Sequence, residues 1–275
     1  MIKPMLAYKV DKKPVNWSEK VFMQPKLDGV RCVISKDGAF SRTGKPWLNI
    51  EHILSSLAPV FREYPDLILD GELYNHKLKN DFEKIISLVR KTKPKASDRV
   101  DSCDLVQFHC YDYVDSYALF EQRMEFLSTA VLYSYCVKYV PTRSVATRDL
   151  ANAIHKNWLE AGYEGSILRL NGPYVCKRSY NLQKFKDFHD TEATIVGYVP
   201  GKGKFTGLIG KFLMCDDDGV EFGCPIGKGY NFQNRRDILT NVQDYVGKRA
   251  TFTYFERTKA NSYRHPLYKT LRNYE

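Results

Sequence analysis

A chain of 275 residues with 43% hydrophobic and 13% aromatic side chains can fill one large or two ordinary cores, which excludes wholesale disorder. Its 42 basic against 32 acidic residues leave a net charge of +10, a balance that favours a polyanionic partner such as nucleic acid or a nucleotide. Seven cysteines without a C-x-x-C pair or zinc-ligand spacing read as reduced thiols, and with no apolar run long enough for a bilayer and no leader pattern, a soluble cytoplasmic protein is expected.

Residues 1–17, with Pro4 and Pro14, read as an extended lead-in. Residues 21–24 and 31–35 read as strands either side of the turn Lys26-Leu27-Asp28-Gly29, and Asp37-Gly38 is a hairpin signal leading into 39–42. Ile53, Leu57 and Val60 give helical spacing over 50–62, and residues 67–73 form a short apolar strand running into acids. Phe82, Ile85, Ile86 and Val89 mark an amphipathic helix over 81–90, followed by a basic loop over 91–99. A buried strand is expected over 105–114, a helix carrying Phe120, Met124 and Leu127, a third helix over 152–161 stopped by Gly162, then strands over 164–169 and 182–186.

After Lys186 the texture changes. Short strands over 193–199, 210–214, 220–222 and 250–255, with one helix over 235–242, are the pattern of a five-stranded OB-type barrel, so a boundary is set near Asp187. The first part (1–187) carries +7, from 29 basic and 22 acidic residues, and the second (188–275) +3, from 13 and 10. Both parts can therefore face an anion.

Several short segments carry chemistry. Lys26, set among basic residues, is a candidate nucleophile; Asp28 can orient a partner or hold a cation, and Arg31 can clamp an anion or a sugar hydroxyl. Ser41-Arg42-Thr43-Gly44 offers a hydroxyl, a guanidinium and flexible backbone to a phosphate. Asp70-Gly71-Glu72 and Glu164-Gly165 place carboxylates at strand ends, suited to Mg²⁺ or a ribose hydroxyl. Tyr111-Asp112 sets an aromatic face beside an acid, and Lys184 and Lys186, two apart on a strand, share one face.

In this order the segments resemble the covalent nucleotidyltransferase superfamily of DNA ligases, RNA ligases and mRNA-capping guanylyltransferases. The motif stretches are 26–31, 41–44, 70–73, 108–112, 164–168, 182–186 and the region of Arg264-His265-Pro266, spanning nearly the whole chain. The chain looks most like a small ATP-dependent DNA ligase of the viral and bacterial type; the R-x-D-K ending of capping enzymes is absent. The resemblance implies an α+β nucleotidyltransferase domain (1–187), mainly antiparallel sheets flanked by helices, then a small all-β OB-fold barrel (188–275). With 25 residues ahead of Lys26 and no zinc spacing, it implies ATP rather than NAD as donor.

The resemblance further implies roles. Lys26 would take AMP covalently, with Asp28, Lys184, Lys186 and Arg264 as further catalytic residues. Glu72 and Arg31 would hold the ribose, Tyr111, or failing it Phe108, would stack on adenine, and Gln24 would read the base edge. Lys184 and Lys186 would contact the α-phosphate. Glu164 and Glu72 would carry Mg²⁺, with Mn²⁺ as a substitute. Arg42 and Ser41 would meet the nick phosphate, and Lys202, Lys204 and Lys211 would lie on the duplex backbone, in a loop (200–211) that replaces the long latch of some relatives. A monomer acting on nicked double-stranded DNA, with no membrane partner, is expected. An RNA ligase or RNA-end nucleotidyltransferase, and a catalytically silent nucleic-acid-binding module, are the rival readings.

Overall fold

The computed structural model describes residues 2–79, 81–131, 134–185, 189–227, 229–258 and 261–272. By its contacts the chain divides into two units, Met1–Lys186 and Asp187–Glu275.

The first unit runs, in chain order, β1 (Leu6–Lys9), β2 (Val21–Lys26), β3 (Val30–Ser35), β4 (Gly38–Phe40), α1 (Glu51–Glu63), β5 (Leu69–Tyr74), α2 (Phe82–Val89), α3 (Ala96–Leu105), β6 (Gln107–Tyr113), α4 (Phe120–Ala130), β7 (Val137–Tyr139), β8 (Arg143–Val145), α5 (Arg148–Glu160), β9 (Gly165–Leu170) and β10 (Arg178–Phe185). The strands form two five-stranded sheets, ordered β1-β10-β9-β2-β8 and β4-β3-β5-β6-β7. Pairing is antiparallel except for β1 with β10 and β6 with β7.

Period-two alternation decides which residues each sheet buries. In β2, Val21 and Met23 join Ala151, Ile154 and Trp158 of α5 in one core, whereas Phe22 meets Phe120 of α4 with ring centres 5.4 Å apart. The second sheet carries the larger core, in which Ile34, Leu69, Leu73, Phe108 and Val137 pack with Ile53 and Leu57 of α1 and Phe120 and Leu127 of α4. Past Met23, β2 has β9 as its one neighbour, a setting in which a strand accepts Pro25.

Between these cores lies a buried ionic group. Asp112 accepts from Arg123 Nε at 2.7 Å and from Arg169 Nη1 at 2.6 Å, and all three side chains are at most 3% exposed. Arg169 Nε also donates to Gln24 Oε1 at 2.9 Å, so β6, α4, β9 and β2 share one network.

The second unit comprises β11 (His189–Pro200), β12 (Ile209–Cys215), β13 (Glu221–Pro225), α6 (Phe232–Thr240), β14 (Arg249–Tyr254), β15 (Glu256–Arg257), β16 (Tyr263–Arg264) and β17 (Leu267–Leu271). Its five-stranded antiparallel sheet is ordered β13-β12-β11-β14-β17. β11 pairs with β14 through its first half and β12 through its second, bending at register shifts near Gly197 and Pro200. A parallel bridge between Ile226 and Tyr268 links the two edge strands. Ile195, Phe212, Met214 and Phe252 fill the core with Ile238 of α6. The fold expected from sequence, an α+β unit of antiparallel-rich sheets followed by a small β unit, is the fold observed.

Two local expectations are corrected. The extended lead-in contains β1, which Tyr8 and Lys9 add to β10; a four-residue edge strand between prolines carries no periodic signal of its own. The basic loop over 91–99 gives way to α3 at Ala96. That helix has little apolar face and is held by polar contacts instead: Asp98 accepts from the Lys95 N–H at 2.9 Å, and buried Asn49 donates to the Asp98 carbonyl at 3.1 Å. Among the described residues no helix is long and apolar enough to cross a membrane.

The ionic group generates a stability prediction. Asp112→Ala leaves two buried guanidiniums facing each other and is expected to cost about 3–5 kcal/mol in urea unfolding, against about 0–1 kcal/mol for Glu121→Ala at the exposed Lys20–Glu121 pair. Equal losses at the two sites would contradict a central role for Asp112.

Candidate active site

The two sheets of the first unit enclose a cavity of about 220 Å³. Alternation along each strand selects its lining. β2 contributes Gln24 and Lys26; β9 turns Ile167 and Arg169 inward while Ser166 hydrogen-bonds His155 of α5 at 2.8 Å on its other side. β10 contributes Leu182 and Lys184, with Phe185 stacked outward on His155 at 4.2 Å. From the second sheet come Arg31, Glu72 and Tyr111, Arg31 and Glu72 being cross-strand neighbours. Arg42 reaches the rim from a turn closed by the Ser41 N–H on the Lys45 carbonyl (2.8 Å). Arg178 adds a further cation.

Lys26 and Glu164 form an ion pair in which Glu164 is 8% exposed, and the Glu164 N–H donates to the Lys26 carbonyl at 3.1 Å. Side chain and backbone thus fix the two residues together. Arg31 is braced from behind by a two-point contact with buried Asp70 (Nε to Oδ1, 2.6 Å), and Tyr174 donates to the same carboxylate at 2.7 Å. Braced this way, the Arg31 guanidinium stands 5.1 Å from the Tyr111 ring centre, and that of Arg169 5.4 Å. The turn after Lys26 lies so close to β5 that a Cβ at Gly29 would sit 2.4 Å from the Leu73 carbonyl oxygen, so only glycine fits.

Burial pushes the Glu72 carboxyl up to about 7 against the pull of Arg31 and Lys26, so near neutrality it exchanges its proton readily. Burial, with the charges of Tyr163 and Asp28, holds the Tyr74 phenol well above its ordinary range; Asp28 therefore stands near Tyr74, in the turn after Lys26. Among the described residues no three carboxylate, His or Cys side chains cluster as a ready-made metal cage.

Of the residues singled out from sequence, Gln24, Lys26, Arg31, Arg42, Glu72, Tyr111 and Lys184 line this one cavity, with Glu164 paired to Lys26. Gln24 is 1% exposed and its amide is spent within the wall, donating to the Tyr111 carbonyl (3.1 Å) and Thr142 Oγ1 (2.9 Å). Phe108 is a correction: its ring is fully buried in the second sheet's core against Gly71, because it falls on the opposite face of β6 from Tyr111. The Ser41 hydroxyl accepts from the Lys45 N–H at 2.9 Å and supports the turn that presents Arg42.

Lys186 lies outside the described residues. Arg264 belongs to β16 of the second unit, its guanidinium 5.9 Å from the Phe255 ring. Lys202 and Lys204 are exposed on the loop after β11, and Lys211 is partly buried in β12. Sequence reasoning passed over Asp70 as a partner of Arg31, and over Arg169 and Arg178. Arg169 left one legible trace, a guanidinium alternating with Ile167 on an otherwise apolar strand.

A lysine held against a carboxylate in a cation-rich cleft between two sheets, in a chain with a separate small β unit, defines a nucleotide-handling transferase. The family described as ATP dependent DNA ligase domain matches residues 4–186, and the DNA ligase OB-like domain family matches residues 200–272. The chain belongs to the ATP-dependent DNA ligase family. It is 27% identical over 239 residues to a DNA ligase of Haemophilus influenzae, covering 85% of this chain and 80% of that protein. Related phage T4 and African swine fever virus DNA ligases are longer, and the alignments span 62% and 52% of them. A solved Lig E DNA ligase shares the fold with a TM-score of 0.82 at 24% identity, over 99% of this chain and 100% of that one. A Chlorella virus DNA ligase-adenylate is 26% identical with a TM-score of 0.52, over 100% and 99% of the two chains.

Glu72 sets a pH-dependent stability. Because its folded value lies above the ordinary 4.5, the folded state keeps a proton that the unfolded chain gives up, and stability falls as pH rises from about 4.5 through about 7. Glu72→Gln removes that loss, so the variant is expected to be more stable than the parent at pH 8, by up to about 3 kcal/mol, and no more stable at pH 4. Thermal melts across this range check it; a gap independent of pH would refute the assignment.

Proposed function

We propose that this ATP-dependent DNA ligase seals 5′-phosphate/3′-OH nicks in duplex DNA through an AMP carried on Lys26. The observation that carries the reading is the Lys26–Glu164 pair set in a cleft lined by Arg31, Arg42, Arg178 and Lys184, a surround suited to a polyphosphate.

In the first step the deprotonated Lys26 amine attacks the ATP α-phosphorus; a P–N bond forms, the bond to the bridging oxygen breaks and pyrophosphate leaves. In the second, an oxygen of the nick's 5′-phosphate attacks the adenylate phosphorus, the P–N bond breaks and Lys26 recovers its amine. In the third, the 3′-OH attacks the 5′-phosphate, the phosphodiester forms and AMP leaves. Such transfers depend on in-line placement and charge neutralisation. Lys184, with Lys186, takes the α-phosphate oxygens; Glu72 and Arg31 hold the ribose; Tyr111 stacks on adenine. Gln24 acts through the wall, fixing the Tyr111 backbone and Arg169, rather than by touching the base. Asp28 orients the attacking end of the strand, and Arg42, braced by Ser41, meets the nick phosphate.

Glu72 and Glu164 suit Mg²⁺, which binds through one or two carboxylates and completes its shell with phosphates and water. Bound there, it would offset charge on the transferring phosphate. The functional division is placed at 1–187 and 188–275, with Lys202, Lys204 and Lys211 gripping the duplex backbone without sequence preference. The chain is proposed to act as a monomer in the cytoplasm.

Incubation with α-labelled ATP and Mg²⁺ should put label on Lys26, and nicked duplex DNA should discharge it with a sealed product. Lys26→Ala should take up none; label retained on that variant would refute the nucleophile. Discharge onto RNA but not onto DNA would transfer the reading to an RNA ligase. Arg264→Ala is expected to slow self-adenylation more than the sealing of a pre-adenylated nick, and equal losses in the two assays would overturn its first-step role.

A further inference from the structure

β5 delivers Glu72 to the cavity and then runs on into a turn whose side chains do not line it. Tyr74 is 2% exposed beneath the turn that succeeds Lys26. Asn75 then starts a single 3₁₀ turn, His76–Leu78: its Oδ1 accepts from the Lys77 N–H at 3.0 Å and its Nδ2 donates to the Leu105 carbonyl at 3.0 Å. The turn is therefore pinned to the end of α3, just ahead of β6.

From this pinned turn, three groups reach the three residues that separate α5 from Glu164. His76 stacks on Tyr163 with ring centres 4.4 Å apart, which sets its ring beside the Ala161 carbonyl. Lys79 Nζ donates to the same carbonyl at 2.7 Å. The Lys79 stem covers Gly162, where a Cβ would meet its Cδ at 2.7 Å and where φ is +89°. Tyr74 Oη lies 2.7 Å from His76 Nδ1. That contact and the stack on Tyr163 together hold the plane of the imidazole ring. The backbone donors of this segment are already satisfied by α5, since Ala161, Gly162 and Tyr163 bond to Asn157, Leu159 and Trp158. What the clamp adds is a cation on the carbonyl at the end of the helix, where the helix dipole favours it, and a ring stacked on Tyr163.

We propose that Tyr74, His76 and Lys79 are positioning residues that hold Ala161–Tyr163 and so set Glu164 against Lys26. The inference rests on the ligase reading for its consequence and on these contacts alone for its geometry. Glu164 follows Tyr163 directly, and its N–H is on the Lys26 carbonyl. A shift of the 161–163 segment is therefore a shift of the Lys26 partner. The clamp also makes the second sheet, which carries Glu72, answer for the placement of a carboxylate borne by the first.

The test uses His76→Ala, His76→Gln, whose amide can still bond the Tyr74 hydroxyl beside the Ala161 carbonyl, and Lys79→Met, which keeps the stem and loses the ammonium. His76→Ala should lower the saturating rate of Lys26 adenylation roughly 10- to 100-fold while leaving the KM for ATP within about 2-fold, and His76→Gln should recover most of the rate. Amide exchange at Tyr163 and Glu164 should quicken about 10-fold or more in His76→Ala and return in His76→Gln. Should His76→Ala fail to fold, Lys79→Met carries the same two measurements. Exchange unchanged in the variants, a loss expressed in KM, or no recovery with glutamine overturns the clamp. Parent protein that takes up no AMP, together with exchange that responds as stated, would sink the ligase reading and leave the clamp standing.

Discussion

One buried carboxylate between two buried guanidiniums holds the first unit in the form its chemistry needs. Removing Asp112, Arg123 and Arg169 from water costs more than their attraction returns unless nearly every donor is met, and here nearly every one is. Arg123 also donates to the Ala118 and Gly172 carbonyls at 2.6 and 3.1 Å, and Arg169 to Gln24. A group this exacting tolerates one arrangement of β2, β6, β9 and α4. That arrangement holds the facing walls of the cavity apart at a fixed spacing, because Gln24 and Arg169 come from one sheet and Asp112 from the other.

The same economy governs the cavity itself. Its cations are braced from behind by acids that do not enter it: Arg31 by Asp70, Arg169 by Asp112. The guanidiniums therefore present a fixed geometry while their charge is only partly offset. Lys26 is treated differently, because its partner Glu164 adjoins the site and is joined to it through the backbone as well as the side chain. An amine held by an exchangeable partner is free to change partners, whereas a braced arginine stays where it is. Glu72, raised toward neutrality by burial, is an acid of the wall that changes its proton near pH 7.

The second unit relies on aromatic packing and one acid cluster. Tyr263 donates to buried Asp216 at 2.8 Å, Arg257 pairs with the same carboxylate at 2.9 Å, and the Arg257 guanidinium lies 4.0 Å from the Tyr263 ring centre. This ties the β15–β16 ribbon, which carries Arg264, to the body of the five-stranded sheet. Glycines punctuate the basic loop between β11 and β12, and Gly203 and Gly207 take positive φ, so Lys202 and Lys204 project from a loop with a defined path.

Much of this was legible in the chain. Period-two runs predicted β2, β3, β5, β6 and β9, and apolar spacing predicted α1, α2, α4 and α5, because those elements bury a face whose pattern is local. The short strands β7, β8, β15, β16 and β17 were missed, as were β1 and α3, and these last two owe their form to partners far away in sequence: β10 for the first, Asn49 for the second. The site residues followed the same division. Lys26, Glu72, Glu164 and Lys184 could be named because reactive groups beside turns and strand ends leave a string of recognisable spacing. Which aromatic faces the cavity could not, since Phe108 and Tyr111 differ by a single parity that the β6 pairing settles. By itself, then, the sequence determined the class of chemistry and the two-part organisation and singled out Lys26 as the proposed nucleophile, all of which depend on residue identity and short-range spacing. Only the tertiary structure decided that Gln24 is spent in the wall, that Asp70 and Asp112 brace arginines, and that a turn after β5 grips the approach to Glu164. Those are contacts between strands and loops tens of residues apart, and no local pattern encodes them.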